Sequence, residues 1–184
     1  KLDKNRYEHK YEYCDLLVAG SGPSGLASAY AAAKNGASVI LAEDKPRFGG
    51  TLLTDEVNIG NQSGKEWAEK MITELKGMPN VKVKNRAQVF GYYDHNMLVM
   101  FERINDHLAK PKKYSPRQRL WYIRAKEVVI STGSLERPIV FGNNDTPGVL
   151  LSSAAKEYLK VYGVLVGKKP LIFTNNDSAY ETAI

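Results

Sequence analysis

The sequence predicts an α/β protein of three layers, a parallel sheet with helices and a β-meander, followed by the start of a second, similar domain. Three observations carry this expectation. Two short apolar runs, Cys14 to Ala19 and Ser38 to Ala42, bracket an alanine-rich segment, the strand–helix–strand order of a parallel sheet buried on both faces. The helical pattern then gives way to alternating strands at Val89 to Tyr93, Met97 to Arg103 and Leu120 to Ile123. A later apolar run, Pro170 to Thr174, restarts the first pattern.

Taken in order, Lys1 to Lys10 is polar and charged without an apolar period, so residues 1–12 read as an N-terminal linker. Cys14 to Ala19, broken only by Asp15, is a buried strand ending at Gly20. Leu26 to Lys34 is a helix of small residues, closed by Asn35-Gly36 as its C-cap. Ser38 to Ala42 is the next buried strand, ending in Glu43-Asp44, and a right-handed βαβ unit follows from that order. Trp67, Ala68, Met71, Ile72 and Leu75 mark one face of a helix over Ser63 to Lys76, stopped by Gly77 and Pro79. Asn61-Gln62-Ser63 has the form of a glycosylation sequon but reads as that helix's N-cap. Val81 to Val83 is a short strand, and the meander has a hairpin turn at Asp94-His95-Asn96. Glu127 to Ile130 returns as a buried strand ending in Ser131-Thr132-Gly133. A loop, Leu135 to Thr146, leads to a helix over Ser153 to Tyr162, then the buried strand Pro170 to Thr174, and Asn175 to Ser178 turns into a helix. The expected division is a dinucleotide-binding domain over 13–145 and, over 146–184, a connecting helix and the start of a second nucleotide-binding-type domain. With no initial Met and a last residue just inside a new helix, the chain reads as a piece of a longer polypeptide.

Composition is ordinary for a globular protein, 43% hydrophobic and 25% charged. No window has the 18 or so apolar residues of a membrane span, and no signal segment opens the chain. The lone Cys14 makes no internal disulfide, which fits a reducing, cytoplasmic setting, and it reads as a packed strand residue. The net charge of +6 comes from one stretch, since Lys110, Lys112, Lys113, Arg117, Arg119 and Arg124 lie together with no acid between them. A single basic loop, carrying Pro111 and Pro116, is not the broad basic face that nucleic acid needs, so neither nucleic acid nor membrane is an expected partner. A solvated loop or a subunit contact fits it better.

The chemistry gathers at Gly20-Ser21-Gly22-Pro23-Ser24-Gly25, a G-x-G-x-x-G that follows a buried strand and opens a helix, with an acid 23 residues beyond Gly20. Gly20 permits the tight turn, Gly22 lets the backbone approach a pyrophosphate, and Gly25 lets helix and strand pack closely. The phosphates then meet free amides at the positive end of a helix, with Ser24 placed to join them. Glu43 ends the second strand, where a carboxylate accepts from the adenosine ribose hydroxyls. An acid there repels a 2′-phosphate, which favours NAD, FAD or an adenine nucleotide over NADP. Asp44 and Lys45 follow directly. Gly49-Gly50-Thr51 can fold back over the nucleotide, with the Thr51 hydroxyl toward it, and by fold analogy the Val89 backbone pairs with the adenine edge. His9, His95 and His107 have neither metal spacing nor a triad partner, so no metal ligand and no catalytic residue is assigned.

Gly20 to Gly25, Glu43, Phe48-Gly49-Gly50 and the run Val128 to Gly133 resemble the two-dinucleotide-binding-domain flavoproteins. Arg117-Gln118-Arg119-Leu120-Trp121, Leu135-Glu136-Arg137-Pro138, Phe141 to Gly148 and Phe173 to Tyr180 narrow this to a resemblance to the alpha subunits of heterotetrameric sarcosine oxidases, from Tyr13 almost to the end. The resemblance implies a FAD/NAD(P)-binding Rossmann-like fold within an oxidoreductase that demethylates sarcosine to glycine. Formaldehyde or methylene-tetrahydrofolate and hydrogen peroxide are the other products. It implies NAD held in this fold, with FAD, FMN and tetrahydrofolate elsewhere in a complex with beta, gamma and delta subunits. The site residues it implies here are Gly20, Gly22, Pro23, Ser24, Gly25, Glu43, Asp44, Lys45, Gly50, Thr51, Val89, Thr132 and Gly133. The second-domain turn, Thr174 to Ser178, lacks glycine, and no Cys-x-x-Cys is present, which argues against a reductase of the thioredoxin-reductase type. FAD in the same site, in another amine dehydrogenase or a reductase, stays open as the alternative, as does a non-catalytic assembly module.

Overall fold

The computed structural model describes residues 5–183. These fall into two compact units, the residues up to Leu52 with Val57–Gly133, and Leu53–Glu56 with the residues from Ser134 on. In chain order the first unit holds β1 (Tyr7–Ala19), α1 (Pro23–Lys34), β2 (Val39–Ala42), a small hairpin of β3 (Asn58–Ile59) and β4 (Gln62–Ser63), α2 (Gly64–Gly77), β5 (Val81–Lys84), β6 (Ala87–Tyr93), β7 (Met97–Arg103) and β8 (Gln118–Ile130). One six-stranded sheet runs β5-β2-β1-β8-β7-β6. β5, β2, β1 and β8 are parallel, whereas β8, β7 and β6 form the antiparallel meander. The three-layer α/β expectation holds.

Side-chain alternation builds the layers. Val39 and Leu41 of β2 turn to one face and join Leu26, Ala29 and Ala33 of α1 and Ala68, Met71, Ile72 and Leu75 of α2. Ile40 and Ala42 turn to the other and meet Ala87, Leu98, Met100 and Ile123 of the meander. Burying each such Leu or Ile contributes roughly 1.5–3 kcal/mol. On the meander side Trp121 donates Nε1–H to Glu102 Oε2 at 2.7 Å and lies beneath the Lys84 ammonium. Lys84 also pairs with Glu102 at 3.2 Å, and Lys82 pairs with Glu12.

The local signals that start and stop the helices act as their chemistry dictates. Asn35 caps α1, its Nδ2 donating to Ala31 O at 2.8 Å, and Gly36 takes the left-handed φ of +85° that ends the turn. At α2, Ser63 and Glu66 form a reciprocal capping box, so the sequon position is a helix N-cap. The hairpin turn is a 3-10 turn at Asp94–Asn96, in which His95 and Asn96 both adopt positive φ.

Three expectations for the first unit change. Residues 7–12 are not linker, because β1 begins at Tyr7 and pairs with β8 from Gln118 onward. Tyr7, His9 and Tyr11 are exposed on one side of that half, while Glu8 and Glu12 on the other are half-buried and pair with Arg119 and Lys82, so the segment has no apolar run to mark it as a strand. The third meander strand and the closing strand are one strand, since nothing between Ile123 and Glu127 breaks the chain. They still behave as two halves. Cys14 and Ala125 face the meander core, yet Leu17 and Val128, three residues on, face it too. The alternation slips at Asp15 and Lys126, which are skipped in the pairing, and Ser38 O accepts from both Asp15 N and Leu16 N. Lys126 Nζ lies 2.7 Å from Asp15 Oδ1, while Ser38 N and Oγ donate to Oδ2, and together they hold the Asp15 carboxyl well below the usual carboxylate range. Nor is the Glu127–Ile130 end fully buried. β7 pairs only as far as Arg124, leaving one edge of that end open and Ile130 66% exposed.

The second unit contains α3 (Ser152–Tyr162), ended by Gly163 at φ +67°, and a 3-10 turn at Asp177–Thr182. Glu136 accepts from Ser153 N at 2.8 Å and Ser152 N at 3.3 Å, so it caps α3; burial pushes its carboxyl up, but these bonds prevail and lower it. Lys156 of α3 pairs with Asp55 and Glu181. Pro170 to Thr174 is not a buried strand: it has no regular secondary structure, and Leu171 is 95% exposed. Among the described residues this unit has no other strand, and an isolated strand leaves its amides and carbonyls without ladder partners. No helix is long and apolar enough to cross a membrane.

Candidate nucleotide site

The glycine loop joins the C-terminal end of β1 to α1, and three backbones meet there. Gly20 has φ +100°, and a Cβ on it would lie 2.7 Å from Ser131 C. A Cβ on Gly25 would lie 2.6 Å from Ser131 Oγ and closer still to Gly20 O. Ser131, at the end of β8, donates its hydroxyl toward Ala19 O and Gly20 O, both at 3.0 Å. Gly22 differs. A Cβ there would meet nothing within 4 Å, so its face stays open. Gly22 is also the N-cap of α1 and supplies no side-chain cap, and Pro23 occupies the first turn. The first amides of α1 are therefore left to an external acceptor, which is the arrangement that seats a phosphate.

Glu43 lies one residue past β2 and is only 9% exposed. It is no solvated strand-end acid. Its Oε2 accepts from Ser21 N at 2.9 Å and Ser21 Oγ at 2.5 Å, and its Oε1 accepts from Lys45 N at 2.9 Å. Three donors offset the cost of placing a carboxylate where water is excluded. Ala87 N donates to Glu43 O at 2.8 Å, which ties the start of β6 to the same corner. Beside it, Arg103 Nη2 grips Asp44 through its carbonyl at 2.7 Å and its carboxylate at 2.9 Å.

The Gly49-Gly50 turn folds back onto the loop. Gly49 N donates to Ser21 O at 3.0 Å, and a Cβ on Gly50 would lie 2.9 Å from Gly22 Cα. The structure thus brings together Gly20, Gly22, Gly25, Glu43, Gly50 and the Ser131-Thr132 backbone, with Pro23, Ser24 and Gly133 adjoining in sequence and exposed. Thr51 is exposed in the 3-10 turn Gly50–Leu53. Val89 lies two residues past Ala87, paired with Met100 and packed on the meander core. Sequence reasoning missed Ser21, Ser131 and Arg103. A serine enclosed by glycines at the end of an apolar strand was a visible signal for Ser21; Arg103, 59 residues from Asp44, had none.

Other groups are unsuited to chemistry. Burial pushes the Cys14 thiol up to about 11, which leaves it protonated and unreactive at neutral pH. His95 sits in the hairpin turn, and His107 lies 3.7 Å from Asp106. Among the described residues no group of three or more His, Cys, Asp or Glu is placed to hold a metal ion.

The family of FAD dependent oxidoreductases matches residues 15–75, which span the glycine loop, Glu43 and α2 up to Leu75. The sarcosine oxidase alpha subunit of Rhizobium meliloti (strain 1021) is 44% identical over 183 residues, covering 100% of this chain and 18% of that protein. The alpha subunit from Corynebacterium sp. (strain P-1) is 40% identical over 180 residues, covering 97% of this chain and 19% of that protein. The chain therefore spans less than a fifth of the length of these relatives. Among solved structures, L-proline dehydrogenase from P. horikoshii has the same fold, with a TM-score of 0.68 at 24% identity over 87% of this chain and 31% of that one. Along its whole length, then, the chain is similar to a part of the sarcosine oxidase alpha subunits.

Proposed function

We propose that this chain is the dinucleotide-holding portion of an oxidoreductase of the sarcosine oxidase type, with NAD seated over Gly20 to Gly25. The observation that carries the reading is the open face of Gly22 in front of uncapped α1 amides, with the buried Glu43 at the next strand end. Gly20, Gly22, Pro23, Ser24 and Gly25 would take the pyrophosphate. Glu43 would take the adenosine ribose, with Asp44, Lys45 and the Val89 backbone beside the adenosine. Gly50, Thr51, Thr132 and Gly133 would close over the rest. When bound, a nicotinamide or flavin supplies hydride chemistry. This chain's own residues would bind, orient and shield it. The oxidation of an N-methyl amine, the flavins and folate, and the beta, gamma and delta partners would then belong to the larger assembly, in a cytoplasmic setting.

A second reading has an observation of its own. The match of residues 15–75 to FAD dependent oxidoreductases favours FAD in the same cradle. Mass spectrometry of the ligand released on denaturing the purified protein decides between them. NAD supports the first reading, whereas FAD with the visible absorbance of a flavin replaces it with the second. Protein that neither carries nor takes up either dinucleotide in calorimetry would refute both.

A further inference from the structure

Ser21 stands at the first variable position of the glycine loop, where a side chain is not needed for the turn. It is fully buried and nevertheless polar. Its hydroxyl does two things at once. It donates to Glu43 Oε2 at 2.5 Å and accepts from Gly49 N at 3.3 Å. Its amide donates to the same Glu43 oxygen, and its carbonyl accepts from Gly49 N. Ser21 thus joins three separate pieces of the site: the glycine loop, the acid at the end of β2 and the Gly49-Gly50 turn.

We propose that Ser21 is a positioning residue that fixes the Glu43 carboxylate and thereby makes the site selective for an unphosphorylated adenosine ribose. This rests on the nucleotide-holding reading above. With Oε2 taken twice by Ser21, recognition of a ribose hydroxyl falls to Oε1, the oxygen that also accepts from Lys45 N. A carboxylate held by two bonds to one residue has lost its rotational freedom before a ligand arrives, so the ordering cost is not charged against binding. Fixed in that way, it stands where a 2′-phosphate would have to sit. Without the Ser21 hydroxyl the carboxylate keeps only the Ser21 and Lys45 amides and is held less firmly, which blurs the discrimination without removing the phosphate seat at the start of α1.

The test compares ADP with 2′-deoxy-ADP by titration calorimetry on the protein as it stands, with NAD against NADP as a second pair. The unaltered protein should prefer ADP to 2′-deoxy-ADP by about tenfold, the loss expected for one hydrogen bond to a charged acceptor. In Ser21→Ala that ratio should fall toward one through weaker ADP binding, with 2′-deoxy-ADP changed by less than about twofold, and NADP should gain on NAD. Ser21→Cys, which keeps the volume and a weak donor, should fall between the two and serves as the reporter where the alanine variant unfolds. A merely structural serine would weaken both nucleotides in proportion, and an unchanged ratio in a folded variant overturns the proposal. If the unaltered protein binds neither ADP nor NAD, the nucleotide-holding reading itself has failed, and that is visible before any variant is made.

Discussion

The glycines of the loop are not equivalent, and Gly25→Ala against Gly22→Ala exposes the difference. At Gly25 an added Cβ would lie 2.6 Å from Ser131 Oγ and 3.0 Å from Gly20 C, with the Gly20 carbonyl oxygen nearer still. The serine side chain can rotate away, but the Gly20 carbonyl belongs to a loop whose amide is bonded to Ala42 O at 2.8 Å. Helix and loop must therefore part. Forcing a methyl into a closed contact costs about 1–3 kcal/mol, and a backbone clash belongs at the upper end. For a domain of this size about 3 kcal/mol lowers Tm by roughly 6–12 °C. At Gly22 the same methyl meets nothing within 4 Å, and φ is −66°, which any residue adopts. Alanine is a poorer N-cap than glycine, so Gly22→Ala costs about 1 kcal/mol or less, yet it places a methyl where the pyrophosphate would lie and should weaken NAD or FAD binding by at least about tenfold. Thermal unfolding followed by circular dichroism, with calorimetry for binding, separates the two. Equal losses of Tm in the two variants would refute the assignment of one glycine to packing and the other to ligand approach.

The raised Cys14 thiol makes stability pH-dependent at the alkaline end. The unfolded thiol ionises near its ordinary 9.0 and the folded one only at about 11, so stability should fall between those values, by roughly 1.4 kcal/mol per pH unit at most, and Cys14→Ala should flatten the slope in urea titrations. Asp15 acts at the acid end. Its carboxyl is held low by Lys126 and Ser38, so the stability it contributes is present above its ordinary 3.8 and is lost as pH falls below that, and Asp15→Asn should blunt the acid transition seen by fluorescence. Ser63→Ala removes the capping box of α2 and should cost about 1 kcal/mol, read as a shift in the urea midpoint at constant slope. Arg103→Ala should lower stability by no more than about 1 kcal/mol, since the pair with Asp44 is exposed, while weakening dinucleotide binding a few-fold if Asp44 lies against the adenosine.

What could be read from the sequence was whatever local chemistry dictates. Gly20 to Gly25 between an apolar strand and an alanine-rich helix, Asn35-Gly36, Ser63 with Glu66, and the helical spacing from Trp67 to Leu75 each specify their own structure within a turn or two. What escaped depends on partners distant in the chain. The first half of β1 is polar and aromatic, and only its pairing with β8, some 111 positions away, makes it a strand. Pro170 to Thr174 has strand composition but no neighbouring strand among the described residues, so composition alone misled. The slip at Asp15 and Lys126 was hidden for the same reason, since it exists only as a relation between two strands and Ser38.

That slip has a consequence for the site. β8 runs beside β1 throughout, loses β7 after Arg124, and ends at Ile130, so that Ser131 arrives against the glycine loop. Had the alternation continued without a slip, Val128 and Val129 would exchange faces, and neither would meet the core it now packs against. Gly20 and Gly25 are therefore constrained from two directions, by the turn into α1 and by a strand end more than a hundred residues downstream. A substitution in the meander that shifted the β8 register would displace Ser131 and loosen the glycine loop without touching it. In this chain the end of the meander's last strand acts as a brace for the glycine loop, in which Gly22 alone of the three fingerprint glycines keeps an open face.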